Sequence, residues 1–179
     1  MAFGDRKKKK YTEFIETASG EVVYVGKHYV YDAENPLPYR RFRFAIALSC
    51  TGSAILAASA GFYRAPGTDR TFYVLLPYVI MLCFTALQCY RGGTVVKAGN
   101  PMRAFDYRNS YLPMQHWALA SAVFAIILLV CYFIHLIRAG REGCPMAAVV
   151  CYPLMAALIA ASDLWLLWVT RKNVWHEAE

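Results

Sequence analysis

Four apolar blocks, each close to the length that crosses a lipid hydrocarbon core, constrain this 179-residue chain more than any other feature. Phe42 to Tyr63 runs 22 residues with one charge, Arg43, at an edge from which it can snorkel. Phe72 to Tyr90 gives 19 uncharged residues, Trp117 to Ile137 gives 21, and Pro145 to Thr170 gives 26 with Asp163 as its single charge. At about 1.5 Å per helical residue these blocks reach roughly 28 to 39 Å, enough for a core of about 30 Å. A soluble domain of this size has no use for four such runs, and with 58% apolar and 17% charged residues it would lack the polar surface to stay in solution. The expectation is an all-α integral membrane protein with four transmembrane helices in two hairpins, spanning 42–63, 72–90, 117–137 and 145–170. Residues 1–41 form a basic extension with a β-hairpin-like segment, and 171–179 a short tail.

Orientation follows from the basic residues, which are retained on the cytoplasmic side during insertion. Of 19 Lys and Arg, fifteen fall in the N-terminal segment through Arg43, the 91–115 loop and the C-terminal tail. The two opposite loops hold only Arg64, Arg70, Arg138 and Arg141. A multi-pass protein of the cell membrane with both termini cytoplasmic is expected. The first 41 residues are too polar to supply an apolar targeting core, so the first span itself is expected to direct insertion. The net charge of +7 then reflects topology more than cargo. The run Lys7-Lys8-Lys9-Lys10 lies where anionic lipid headgroups would attract it at about 1 kcal/mol per cation, and nucleic acid is not the expected partner.

Ala45, Ser49, Ser53, Ala57 and Gly61 recur every fourth residue along the first span, a small-residue stripe that lets another backbone approach closely. That face is expected to pack against a helix. Asp163 is the only carboxylate within a span, and an ionised group there costs several kcal/mol unless paired, hydrated or protonated. Helical rise puts it about 12 Å inside Arg171, on a face shared with Ala156 and Ala160. Ser49, Thr85 and Ser121 lie at comparable depths, with Gln88 and His116 within reach, so a polar layer is expected. Two roles remain open for Asp163: a proton- or cation-binding group of a coupled transporter, or an interhelical hydrogen-bond anchor.

Residues 21–31 alternate in a β-like pattern around Gly26-Lys27, a pair able to supply a tight turn, with Thr12–Thr17 as a possible third strand. Two strands alone are marginal and call for a further partner. His116 and His135 stand about 28 Å apart on one helix and cannot share a metal. Cys50, Cys83, Cys89, Cys131 and Cys151 lie in spans as small hydrophobes, and Cys144 in an outer loop lacks a C-x-x-C partner. Arg91-Gly92-Gly93-Thr94 reads as a helix stop rather than a nucleotide loop, and no metalloprotease or nucleophile-elbow motif occurs. No cofactor, metal or catalytic residue is expected. The sequence favours a non-enzymatic accessory or scaffolding subunit, joined to a membrane partner or a second copy through the small-residue face and residues 12–32. A dimeric proton- or cation-coupled transporter acting through Asp163 is the alternative.

Overall fold

The structure is a computed structural model, and it describes residues 14–16, 22–63, 67–139 and 145–178. Four long helices carry it: α1 (Tyr39–Ala60), α2 (Phe72–Lys97), α3 (Leu112–Ala139) and α4 (Met146–Lys172). A helical lead-in, Ala104–Asp106 followed by a π-helical turn at Tyr107–Tyr111, runs directly into α3. Each apolar block of the sequence lies mainly in one helix, and each helix is long and apolar enough to cross a membrane. The helices form a ring in which α1 packs on α2 and α4, and α3 packs on α2 and α4. This is the arrangement of two antiparallel hairpins laid side by side.

The distribution of side chains is the reverse of a soluble bundle. Leu48, Ile55, Leu76, Val130 and Leu154 face outward, while Ser49, Ser53, Thr85, Gln88, Ser121 and Asp163 are buried. Lipid explains this inversion, because hydrocarbon solvates an outward leucine and leaves polar groups to find partners inside. Pro77 and Pro153 sit within α2 and α4, both turned inward, where neighbouring helices can meet the backbone groups that proline leaves unbonded.

Two boundaries differ from the sequence reading in an instructive way. The helix stop expected at Arg91-Gly92-Gly93 is absent, and α2 continues to Lys97. Gly92 is retained in the helix because a Cβ there would lie 2.5 Å from Cys50 Sγ, so its missing side chain is what brings α1 and α2 together. At the other end of the loop, helix begins well before Trp117: the turns from Ala104 to Tyr111 run straight into α3, and Pro113, which has no N–H to donate, follows directly on the π-helical turn, where the α-helical hydrogen-bond ladder is already interrupted.

The bundle end at which α1 begins and α4 ends carries the β-structure. Strand β1 (Phe14–Glu16) pairs antiparallel with β2 (Val22–Tyr24), so the Thr12–Thr17 stretch supplies the additional strand that the sequence offered. The turn expected at Gly26-Lys27 does not join two paired strands, however. Strand β3 (His28–Tyr31) pairs instead with β4 (Met102–Arg103) on one edge and β5 (Trp175–Glu177) on the other. Among the described residues only Gly67 has a positive φ, 80°, so Gly26 does not adopt the conformation a two-residue hairpin turn demands. Alternation identifies a strand without naming its neighbour, and here the interhelical loop and the C-terminal tail both offered closer partners.

The sheet is locked onto the bundle by aromatic packing and side-chain hydrogen bonds. Tyr31, Phe42, Tyr111 and Trp175 join the apolar core at this end, with the Tyr31 and Trp175 rings edge to face at 5.3 Å. The Tyr31 hydroxyl lies 2.6 Å from both Leu37 O and Asn173 Oδ1. Asn35 clasps the tail reciprocally, donating from Nδ2 to Val174 O at 2.9 Å and accepting at Oδ1 from Val174 N at 2.8 Å.

Candidate functional site

The helices bring their polar residues to one level. Asp163 of α4 has no exposed surface. Its Oδ1 accepts from the Ser53 hydroxyl of α1 at 2.9 Å and from Gln88 Nε2 of α2 at 2.9 Å. Ser121 of α3 stands against the same carboxyl, and its Oγ lies 3.0 Å from Thr85 Oγ1. Thr85 also reaches back to Met81 O at 2.9 Å, within its own helix. One carboxyl thus connects side chains from all three other helices.

This layer divides the core. On the basic side lie Ala45, Cys50, Val95, Met114, Ala118 and Leu166, and on the far side Ala57, Met81, Ala125, Leu128, Ile159 and Ala160, in two separate apolar clusters. A polar group at this depth has no water to return to, so each missing partner carries a cost of about 1–3 kcal/mol. Two acceptors lack one: Asp163 Oδ2 and Gln88 Oε1. They belong to the two groups already joined by the Gln88 Nε2–Asp163 Oδ1 bond. A proton on Oδ2 would turn one of these orphans into a donor and give the other something to accept.

Of the residues singled out from sequence, Asp163, Thr85, Gln88 and Ser121 meet in this layer. Ser49 does not reach Asp163. It lies one turn nearer the basic end, 2.9 Å from Ser162 Oγ and 3.0 Å from Ser162 O. The offset arises because Arg43 lies beyond the edge of the first span and not at it, its guanidinium reaching across to donate to Val96 O near the end of α2. Depths counted from Arg43 are therefore about one turn too deep, and Ser53 occupies the place assigned to Ser49. His116 is a clear correction: it is exposed, with Nδ1 2.8 Å from Leu112 O in its own helix. His135 is buried at the far end near Tyr73.

The small-residue stripe faces inward. Ala45, Ser49, Ser53 and Ala57 are buried, and Gly61, just beyond α1, leaves room for the Tyr78 hydroxyl, which a Cβ would meet at 2.8 Å. The face expected to receive a partner is filled by this chain's own helices. Its small side chains are what the α1–α4 and α1–α2 contacts require.

The fold also makes a contact that sequence spacing could not reveal. Cys50 and Cys89 are 39 positions apart but adjacent across α1 and α2, with Cys89 Sγ 3.0 Å from Cys50 O. They line a groove of about 270 Å³ together with Ala47, Ala54, Gly93 and Val96. Cys144 lies outside the described residues, as do Lys7, Lys8, Lys9 and Lys10. Among the described residues no cluster of His, Cys, Asp or Glu is arranged to hold a metal ion. No protein-family model, curated protein or solved structure matches the chain, so its function is argued from this geometry alone.

Proposed function

We propose that the chain is a non-enzymatic accessory or scaffolding subunit of a membrane complex, residing in the cell membrane with both termini cytoplasmic. The observation that supports this most is the use to which Asp163 is put. Its bonded oxygen is shared between Ser53 and Gln88, and Ser121 stands against the same carboxyl. A carboxyl committed to three helices serves to fix their register, as polar groups in lipid commonly do.

The partner surface moves from where the sequence alone suggested it. The inner face of α1 is occupied, and β3 has both edges paired within the chain. Of residues 12–32, this leaves the β1–β2 pair with open strand edges among the described residues, and an edge strand is a template for a further strand. Lipid solvates the outward apolar faces, and Lys7 to Lys10 add attraction to anionic headgroups from the same side of the bilayer.

A second reading is favoured by one feature. Asp163 Oδ2 and Gln88 Oε1, each buried without a partner on side chains that are already hydrogen-bonded to each other, offer acceptors to a proton or a small cation, as a coupled transporter working as a dimer would need. One comparison separates the two. Native gels of a mild detergent extract should show the chain in an assembly that contains a second polypeptide, and vesicles of the purified chain should show no proton flux that Asp163→Asn abolishes. A chain that migrates alone or only as a homodimer, and carries an Asp163-dependent flux, overturns the subunit reading in favour of transport.

A further inference from the structure

Where α2 leaves the apolar zone, the chain builds a cavity of about 420 Å³ whose lining includes Lys97, Gly99, Pro101, Arg103 and Asp106. Its cations are available. Among the described residues neither Lys97 nor Arg103 is in an ion pair, the pairs being Lys27 with Glu177 and His176 with Asp32. Arg103 is steadied from one side by the Tyr24 ring, its guanidinium carbon 5.6 Å from the ring centre.

The walls are held by contacts from several elements. Tyr39 donates to Ala98 O at 2.8 Å, Tyr31 N donates to Asn100 Oδ1 at 3.1 Å, and Ala104 N donates to Lys27 O at 2.9 Å. Strand pairing of Met102 with Tyr29 fixes the stretch between them. A loop braced in this way presents Lys97 and Arg103 at a set separation, so little ordering cost remains when a ligand arrives.

The position narrows the ligand. Lys97 lies six residues past Arg91, about 9 Å along the helix, in the zone where phospholipid headgroups sit. Two cations, one able to form a bidentate fork, match a phosphodiester. Asp106 on the same wall repels a second anionic charge and offers an acceptor to an ammonium or hydroxyl group. We propose that this cavity binds a phosphodiester that carries a hydrogen-bonding cationic head, of the phosphatidylethanolamine type, with Lys97 and Arg103 on the phosphate and Asp106 on the ammonium. The proposal rests on the membrane fold and is independent of whether the chain is a subunit or a carrier.

Native mass spectrometry of the full chain in detergent tests it with three probes: phosphatidylethanolamine, phosphatidylcholine and soluble glycerophosphoethanolamine. Ethanolamine lipid should be retained about ten-fold more than choline lipid, whose methylated head has no N–H for Asp106. Lys97→Gln/Arg103→Gln should lower that retention at least ten-fold with the melting temperature unchanged, and Asp106→Asn should erase the headgroup preference alone. Substituting Gln for Lys7 to Lys10 should leave the preference intact, which separates the cavity from general basic attraction. Competition by glycerophosphoethanolamine at matched concentration would keep the phosphodiester site and assign it a soluble source. Equal retention by the folded double variant, or no preference between the two lipids in the native chain, overturns the proposal.

Discussion

Replacing Asp163 by alanine removes the group on which four helices converge. The Ser53 hydroxyl and Gln88 Nε2, each 2.9 Å from Oδ1, would point into a dry space with nothing to accept their protons. At about 1–3 kcal/mol for each stranded donor the ceiling is roughly 2–6 kcal/mol. Hydrogen bonds between membrane helices measure closer to 0.6 kcal/mol, because the separated helices also find partners in lipid, so two of them set a floor of about 1 kcal/mol and a loss of about 1–4 kcal/mol is expected. Asparagine makes the contrast informative. Its oxygen keeps accepting from both donors, and its amide N–H₂ supplies Gln88 Oε1 with the donor that it lacks. It also removes any cost of an ionised group at this depth, which reaches about 2.5–3.5 kcal/mol on insertion scales. Asp163→Asn should therefore stay within about 1 kcal/mol of the native chain or exceed it. Equilibrium unfolding in bicelles measures both. If the alanine variant unfolds no more readily than the asparagine variant, the layer is not holding the bundle and the reasoning fails.

Three further outcomes follow from other parts of the molecule. Gly92→Ala should destabilise the bundle by about 1–3 kcal/mol, since its Cβ would lie 2.5 Å from Cys50 Sγ, and Cys50→Ala should restore much of the loss. Gly52→Ala and Gly93→Ala, with nothing within 4 Å of the added carbon, should be neutral or stabilising by up to about 1 kcal/mol; thermal unfolding in detergent ranks all three. Burial raises the Tyr31 phenol to about 12 from 10.0. A folded value above the unfolded one means that its contribution is full below pH 10 and is lost as pH climbs toward 12, when hydrogen exchange of strand β3 should accelerate. Acid should loosen the same sheet by another route. Backbone N–H donation from Glu34, then the His176 contact, holds the Asp32 carboxyl below its ordinary range. That contribution is present above the unfolded value and disappears as pH falls through the folded one, so exchange at β5 should rise only in strong acid.

Much of this was legible from the residues alone, and the parts that were not share a physical cause. The four helices announce themselves because a run of 19 to 26 apolar residues has few other uses. Asp163 stands out because a carboxylate in such a run demands an explanation. Partners across helices are harder, since sequence gives position along an axis and not the relative height of two axes. An error of one turn in placing Arg43 was enough to favour Ser49 over Ser53. Gly92 misled for a related reason: glycine reads as a breaker, yet in lipid it is often where helices touch. The pairing of β3 with β5 joins residues that are 144 or more positions apart at Val30–His176 and Tyr31–Trp175, and no local pattern encodes so distant a neighbour.

Side-specific labelling tests the central claim most directly. Single cysteines placed at the exposed positions Lys97 and Arg70, on a background with the native cysteines replaced, flank α2 at its two ends. In sealed, oriented membrane vesicles a membrane-impermeant maleimide should reach one and not the other, with residue 97 on the side of both termini. Labelling of both from the same side would contradict the four-span architecture on which the polar layer, the headgroup cavity and the subunit reading all depend.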